Sequence, residues 1–304
     1  MSRLLKHPRL LGLLCAAFAV GLGIVYMAAA GAPARYLIIN LAALVVGAAI
    51  WLGTGPRLIS RWRGGAVLAL TAPLVATALF GVAVDGASRW VDVGPLSLQV
   101  SLIVLPALIV LYARSGDAIG TAGILIAAVA LAVQPDRAMA GVLVAGVGTI
   151  VFTQHSRLAA LALAGAVIGL GVTMLRPDAL PAVPFVDRIL YSAFDVHLLA
   201  GVAVVAGCFV LLTPAVGALL PVPERPVLFA FGASWAALIA AAAIGNYPTP
   251  LVGYGGSAVL GYLLSVALLT GSRSYALKAD AGATKPQDPS SDPQYLELSI
   301  HKLG

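Results

Sequence analysis

The chain alternates long apolar runs with short polar breaks. Bounded by charge or by Gly/Pro, ten runs emerge: Leu10 to Ala30, Tyr36 to Leu52, Ala66 to Val84, Val100 to Tyr112, Ala118 to Val133, Ala138 to Phe152, Leu158 to Leu175, Val196 to Leu212, Val227 to Ile244 and Leu251 to Thr270. None alternates with the period of two that a membrane β-barrel needs. A bilayer core about 30 Å thick takes ~20 apolar residues as a helix, and several runs are somewhat shorter. Backbone groups find no water there, so spanning elements are helices or closed barrels. The pattern therefore predicts an all-α fold, a polytopic transmembrane bundle of about ten helices.

Composition strengthens that reading. Hydrophobic residues make up 61% and charged residues 10%, with a mean hydropathy of +1.00. That is too little charge to clothe a soluble domain, so membrane lipids are the expected surroundings. The net charge of +6 raises the question of nucleic acid. The basic residues sit in short loops between apolar runs, where they set orientation, and no nucleic-acid partner is expected. Cys15 and Cys208 lie inside apolar runs and read as packing residues.

An even number of spans puts both termini on one side. If that side is cytoplasmic, 13 of the 18 Lys+Arg lie inside, against Arg35, Arg89, Arg137, Arg176 and Arg188 outside. The positive-inside rule thus places both termini in the cytoplasm. The first run follows a basic segment and precedes MAAAGAPA, as a signal peptide would. It exceeds the roughly 7–15 apolar residues usual there, so a retained span is expected. Residues 1–270 read as the transmembrane domain. Residues 271–304 are polar and proline-bearing and read as a disordered cytoplasmic tail, ending in YLELSIHKLG, which alternates apolar with polar.

Three polar stretches punctuate the runs: GASRWVDVGPLSLQ (Gly86 to Gln99), QPD (Gln134 to Asp136) and PTPLVGYGGSA (Pro248 to Ala258). The first reads as an interfacial loop anchored by Trp90, with a Gly94-Pro95 turn. In the second, Pro135 stops one helix and Asp136 can cap the next. The paired Gly255 and Gly256 permit close backbone approach at a helix entrance. In the predicted topology all three face outward.

In order and spacing these stretches resemble the SEDS family, the FtsW, RodA and SpoVE proteins. The family's first motif looks like GARRWI-x-LGP-x-x-x-QPSE; here Arg89, Trp90, Gln99 and Ser101 match, while Val100, Leu102 and Leu105 replace Pro, Glu and Lys. QPDRAMA is similar to the family's QPDLGTA. Pro250, Tyr254, Gly255, Gly256 and Ser257 match LP-x-P-x-x-SYGGSS. The family's proposed catalytic Asp lies in a run resembling HTDFIFAVIGEELG, before the eighth span. Asp195 is aligned with it, leaving Ala203 and Val204 where the family has a Glu pair, and Asp187 competes for the role.

The resemblance implies a multi-pass protein of the bacterial inner membrane that polymerises peptidoglycan glycan strands from lipid II, for cell shape or division. Asp195 would take the proton of the attacking sugar hydroxyl. Arg89, Trp90, Gln99, Ser101, Gln134, Asp136, Arg188, Tyr254, Gly255, Gly256 and Ser257 would bind substrate, arginine suiting a leaving pyrophosphate. A class B penicillin-binding protein is the implied partner. No metal ligands are assigned, although the family's chemistry suggests Mg2+ or Mn2+, with Asp85, Asp92, Asp136, Asp178, Asp187 and Asp195 as oxygen donors. The alternatives are a non-catalytic SEDS-like partner of such a protein, or a flippase or transporter of lipid-linked precursors. No predicted span interior carries a charge, which weighs against an ion-coupled transporter.

Overall fold

The computed structural model describes residues 5, 7–54, 63–177, 180–220 and 222–269. The expected tail, 271–304, and Asp178 lie outside the described residues. All ten apolar runs appear as helix in whole or in part: α1 (Pro8–Ala29), α2 (Ala34–Gly53), α3 (Arg63–Phe80), α4 (Val100–Ser115), α5 (Ala118–Val133), α6 (Arg137–Gln154), α7 (Arg157–Met174), α9 (Leu198–Val210), α10 (Arg225–Ile244) and α11 (Gly256–Ala267). A short helix, α8 (Ile189–Val196), precedes α9 and was not expected. Among the described residues five helices, α1, α2, α6, α7 and α10, are long and apolar enough to cross a membrane. A sixth span forms if α9 is joined to the 3-10 segment Thr213–Leu219, which is bent from it by 46°. The remaining four are shorter apolar helices of 10–17 residues. The chain is thus a multi-pass membrane protein.

The break after α9 has a local cause and a local remedy. Pro214 has no N–H to continue a helix, and Ala215 N turns to Leu212 O at 2.9 Å instead. The freed carbonyl of Leu211 accepts from Tyr262 Oη at 2.9 Å. In an apolar surrounding, leaving that carbonyl bare would cost several kcal/mol.

At the centre stands α4, buried from Val104 to Ala113, with α3, α6, α10 and α11 packed around it. Lipid is as apolar as leucine, so such contacts depend on close fit rather than on escape from water. Gly261 on α11 shows this: a Cβ there would collide with the Leu102 carbonyl on α4.

One part of the expectation is corrected. The stretch before α4 is not a loop but a three-stranded antiparallel meander, β1 (Val82–Val84), β2 (Ala87–Val93) and β3 (Leu96–Gln99). It takes Val82–Val84 away from the third predicted span. Asp85 and Gly86, at φ 47° and 81°, form the first two-residue turn, the pairing a type I′ hairpin requires. Gly94 at φ 60° opens the second, before Pro95. Strand β3 runs directly into α4, with Gln99 at its N-cap.

Candidate functional site

The three polar stretches, far apart in sequence, meet at one end of the bundle. Ser101 Oγ donates to Asp136 Oδ2 at 2.7 Å, and Gln99 Nε2 donates to the same oxygen at 3.1 Å. Gln99 N donates to Ser257 Oγ at 3.0 Å. Arg89 Nη2 donates to the Pro135 carbonyl, and Gln134 Nε2 to Leu74 O at 2.7 Å. Asp136 also caps α6, its Oδ1 accepting from Met139 N at 3.3 Å. Ser101, Gln134 and Asp136 are completely buried. These three, expected to touch substrate, lie behind the wall of the site and brace it.

In front of that wall is a cavity of about 700 Å3. Its sides come from α2 (Ile39, Ala43, Val46), from the sheet (Arg89, Trp90, Asp92, Gln99), from the segment before α8 (Leu180, Asp187) and from the turn before α11 (Tyr254, Gly255, Gly256, Ser257). The lining is mainly apolar, with Val82, Leu96, Leu98 and Val183 beside the residues just named, and a few polar groups converge on it, a form suited to an amphiphilic ligand. Of the expected contacts, Arg89, Trp90, Gln99, Tyr254, Gly255, Gly256 and Ser257 line it. Arg188 is exposed, its guanidinium 6.0 Å from the Tyr191 ring, and does not. Asp195 is exposed on α8 and is likewise outside the lining.

Asp187, unlike Asp195, lines the cavity. Its Oδ2 accepts from Val183 N at 2.8 Å, closing a tight loop that carries the carboxyl into the cavity. Phe185 and Arg188 flank it with φ of 63° and 58°, conformations that persist only where surroundings enforce them. The enforcement comes from the segment before α11. Thr249 N donates to Val186 O at 2.9 Å, Tyr254 N to Phe185 O at 2.6 Å, and Asp187 bridges to Pro248. Burial pushes the Asp187 carboxyl above its ordinary value, partly offset by the Val183 N–H. A sequence signal existed for this residue. In the family run quoted above, a Glu follows the Asp after eight positions; Asp187 and Asp195 are eight apart, so Asp195 falls on the glutamate.

Asp85, Asp92 and Asp187 all line the cavity, which invites the divalent-cation expectation. Asp92 already accepts from Ser97 Oγ at 2.6 Å. Among the described residues no group of three or more His, Cys, Asp or Glu is placed to hold a metal ion. The donor set does not fit a metal site built by the protein alone.

No protein-family model and no curated protein matches the sequence. Solved structures do match. The Thermus thermophilus rod shape determining protein RodA superposes with a TM-score of 0.62 at 21% identity, over 84% of this chain and 93% of that one. The chain has the SEDS fold of RodA. An Asp-to-Ala mutant of the same protein gives 0.62 at 22% identity, over 84% and 94%. A peptidoglycan synthase complex that coordinates polymerization and crosslinking gives 0.56 at 23%, over 84% and 96%.

Proposed function

We propose that the protein is a divergent peptidoglycan glycosyltransferase of the bacterial inner membrane, polymerising glycan strands from lipid II, with Asp187 rather than Asp195 as general base. The observation that carries this is Asp187 in the wall of a mainly apolar cavity with a few convergent polar groups, lined by two of the three SEDS-like stretches and braced from behind by the third. A lipid-linked sugar likewise joins a long apolar part to a polar head. Its chain would lie along Ile39, Ala43 and Val46, and its polar head beside Arg89, Gln99 and Ser257.

In the reaction, the acceptor hydroxyl attacks the anomeric carbon of the donor sugar. Its proton passes to Asp187, and the lipid pyrophosphate leaves with the electrons of the broken C–O bond. A carboxyl with a raised pKa is the stronger base for this step once ionised. Arg89 is the cavity's arginine and holds the Pro135 carbonyl, so it fixes the wall as well as supplying positive charge.

Carboxylates outnumber that arginine in the cavity lining, Asp85, Asp92 and Asp187 against Arg89. This charge balance favours a second reading, a SEDS-like protein that assembles with a class B penicillin-binding protein without polymerising. Incubation of the purified protein with labelled lipid II, alone and with its penicillin-binding partner, separates them. Polymer lost on Asp187→Asn supports the enzyme. A stable complex with no polymer from a folded protein supports the second reading. Transbilayer movement of lipid II that survives Asp187→Asn points instead to a flippase.

A further inference from the structure

Asn40 is a polar residue in the second turn of α2, between apolar neighbours, and it is completely buried. An amide in a membrane helix is costly unless both of its ends are satisfied. Here they are. Asn40 Nδ2 donates to Gly253 O at 2.7 Å, and its Oδ1 accepts from Gly255 N at 3.1 Å. The two bonds grip the backbone on either side of Tyr254, in the turn that enters α11. One helical turn earlier on the same face, Tyr36 stacks on Tyr254 with ring centroids 3.9 Å apart and planes 10° apart. Helix α2 therefore holds this turn at two levels.

The turn in turn holds Asp187, through Tyr254 N to Phe185 O and Thr249 N to Val186 O. An unbroken series of contacts thus runs from Asn40 through residues 249–255 to the loop 183–187. We infer that Asn40 is a positioning residue: its carboxamide sets the place of the Asp187 carboxyl in the cavity, acting through the Gly253–Gly255 turn. This rests on the glycosyltransferase reading for its effect on rate, but not for the clamp itself.

The geometry demands a donor and an acceptor on one planar group. Asparagine supplies both. Leucine, of similar size, supplies neither and leaves the buried Gly253 carbonyl and the part-buried Gly255 N–H without these partners. Ionised aspartate lacks the donor, yet a protonated carboxyl has one O–H and one carbonyl and can make both bonds. That gives the clamp a signature that simple loss of stability does not share.

The test uses the full-length protein, with its penicillin-binding partner where polymerisation requires it, as wild type, Asn40→Leu and Asn40→Asp. Hydrogen exchange and lipid II polymerisation are measured on each. For Asn40→Leu, exchange at 249–257 and 183–187 accelerates, while α6 and α10 stay protected as in the wild type. kcat falls on the order of 10- to 100-fold, the scale of a small misplacement of a catalytic group, with KM changed less than about threefold. For Asn40→Asp, activity relative to wild type at the same pH rises about tenfold on protonation as pH falls, because the protonated carboxyl regains the donor. Unchanged exchange at 249–257 in Asn40→Leu overturns the inference. So does a ratio for Asn40→Asp that falls as pH is lowered. If Asn40→Leu does not fold, the Asp variant decides alone. If the wild type makes no polymer, the enzyme reading fails, and exchange at 249–257 and 183–187 still decides the clamp.

Discussion

Ser101 Oγ and Asp136 Oδ2, 35 positions apart in sequence, lie 2.7 Å apart in a fully buried hydrogen bond. It ties the first turn of α4 to the first turn of α6. Gln99 and Met139 N also donate to this carboxyl, so one acid satisfies three donors from two helix starts. Asp136→Ala leaves all three bare, at about 1–3 kcal/mol for each buried donor that water cannot reach. Unfolding followed in detergent is expected to show a loss of about 3 kcal/mol or more, with Asp136→Asn losing less because its oxygen still accepts. An unchanged midpoint for Asp136→Ala contradicts the bracing role.

Two glycines should behave oppositely. At Gly261 an added methyl meets the Leu102 carbonyl, a backbone atom that cannot swing aside. Gly261→Ala is expected to cost about 1–3 kcal/mol through overpacking of α4 on α11. At Gly255 a Cβ meets nothing within 4 Å. Gly255→Ala should leave the unfolding midpoint in place, and lower polymerisation if substrate approaches this backbone closely. Equal thermal effects from the two changes contradict the packing described.

The base role of Asp187 fixes a pH dependence. The carboxyl must be ionised to accept a proton, and burial raises its pKa. The acidic limb of kcat/KM is therefore expected above the ordinary carboxylate value of about 4. The stability consequence has a definite sign. A carboxyl raised in the fold contributes stability that is complete below its unfolded pKa and declines as pH rises through the folded one. Asp187→Asn should thus gain in stability relative to wild type as pH rises through that window. A constant difference contradicts the desolvated site.

At the opposite end of the bundle, Arg114 and Glu224 form an ion pair with side chains 10% and 9% exposed. Removing one partner of a mostly buried pair leaves the other charge without its counter-ion, at up to about 3–5 kcal/mol for full burial. Glu224→Ala should therefore destabilise more than the double change Arg114→Leu with Glu224→Leu. A double-mutant cycle followed by thermal unfolding checks this.

The helical runs were legible because lipid imposes one rule on every span: length and apolarity. The sheet was not, although Asp85-Gly86 and Gly94-Pro95 are hairpin turns by composition. Embedded between long apolar runs, fourteen residues with a tryptophan read first as an interfacial loop. Asp136 was legible as a helix cap, but not as buried, because sequence does not say which way a turn's carboxylate faces. Asp187 and Asp195 both precede a span, and only the fold shows that one enters the cavity while the other stays on the surface of α8. Asn40 carried a signal that went unused: one carboxamide inside an otherwise apolar run, at a depth where a polar group needs a partner.

The most direct measurement is glycan polymerisation from labelled lipid II by Asp187→Asn and Asp195→Asn beside the wild type, each shown to be folded and assayed with the penicillin-binding partner. Polymer abolished by Asp187→Asn and retained by Asp195→Asn is the predicted result. Polymer that survives Asp187→Asn, or that disappears only with Asp195→Asn, would contradict the assignment of the base and with it this account of the cavity.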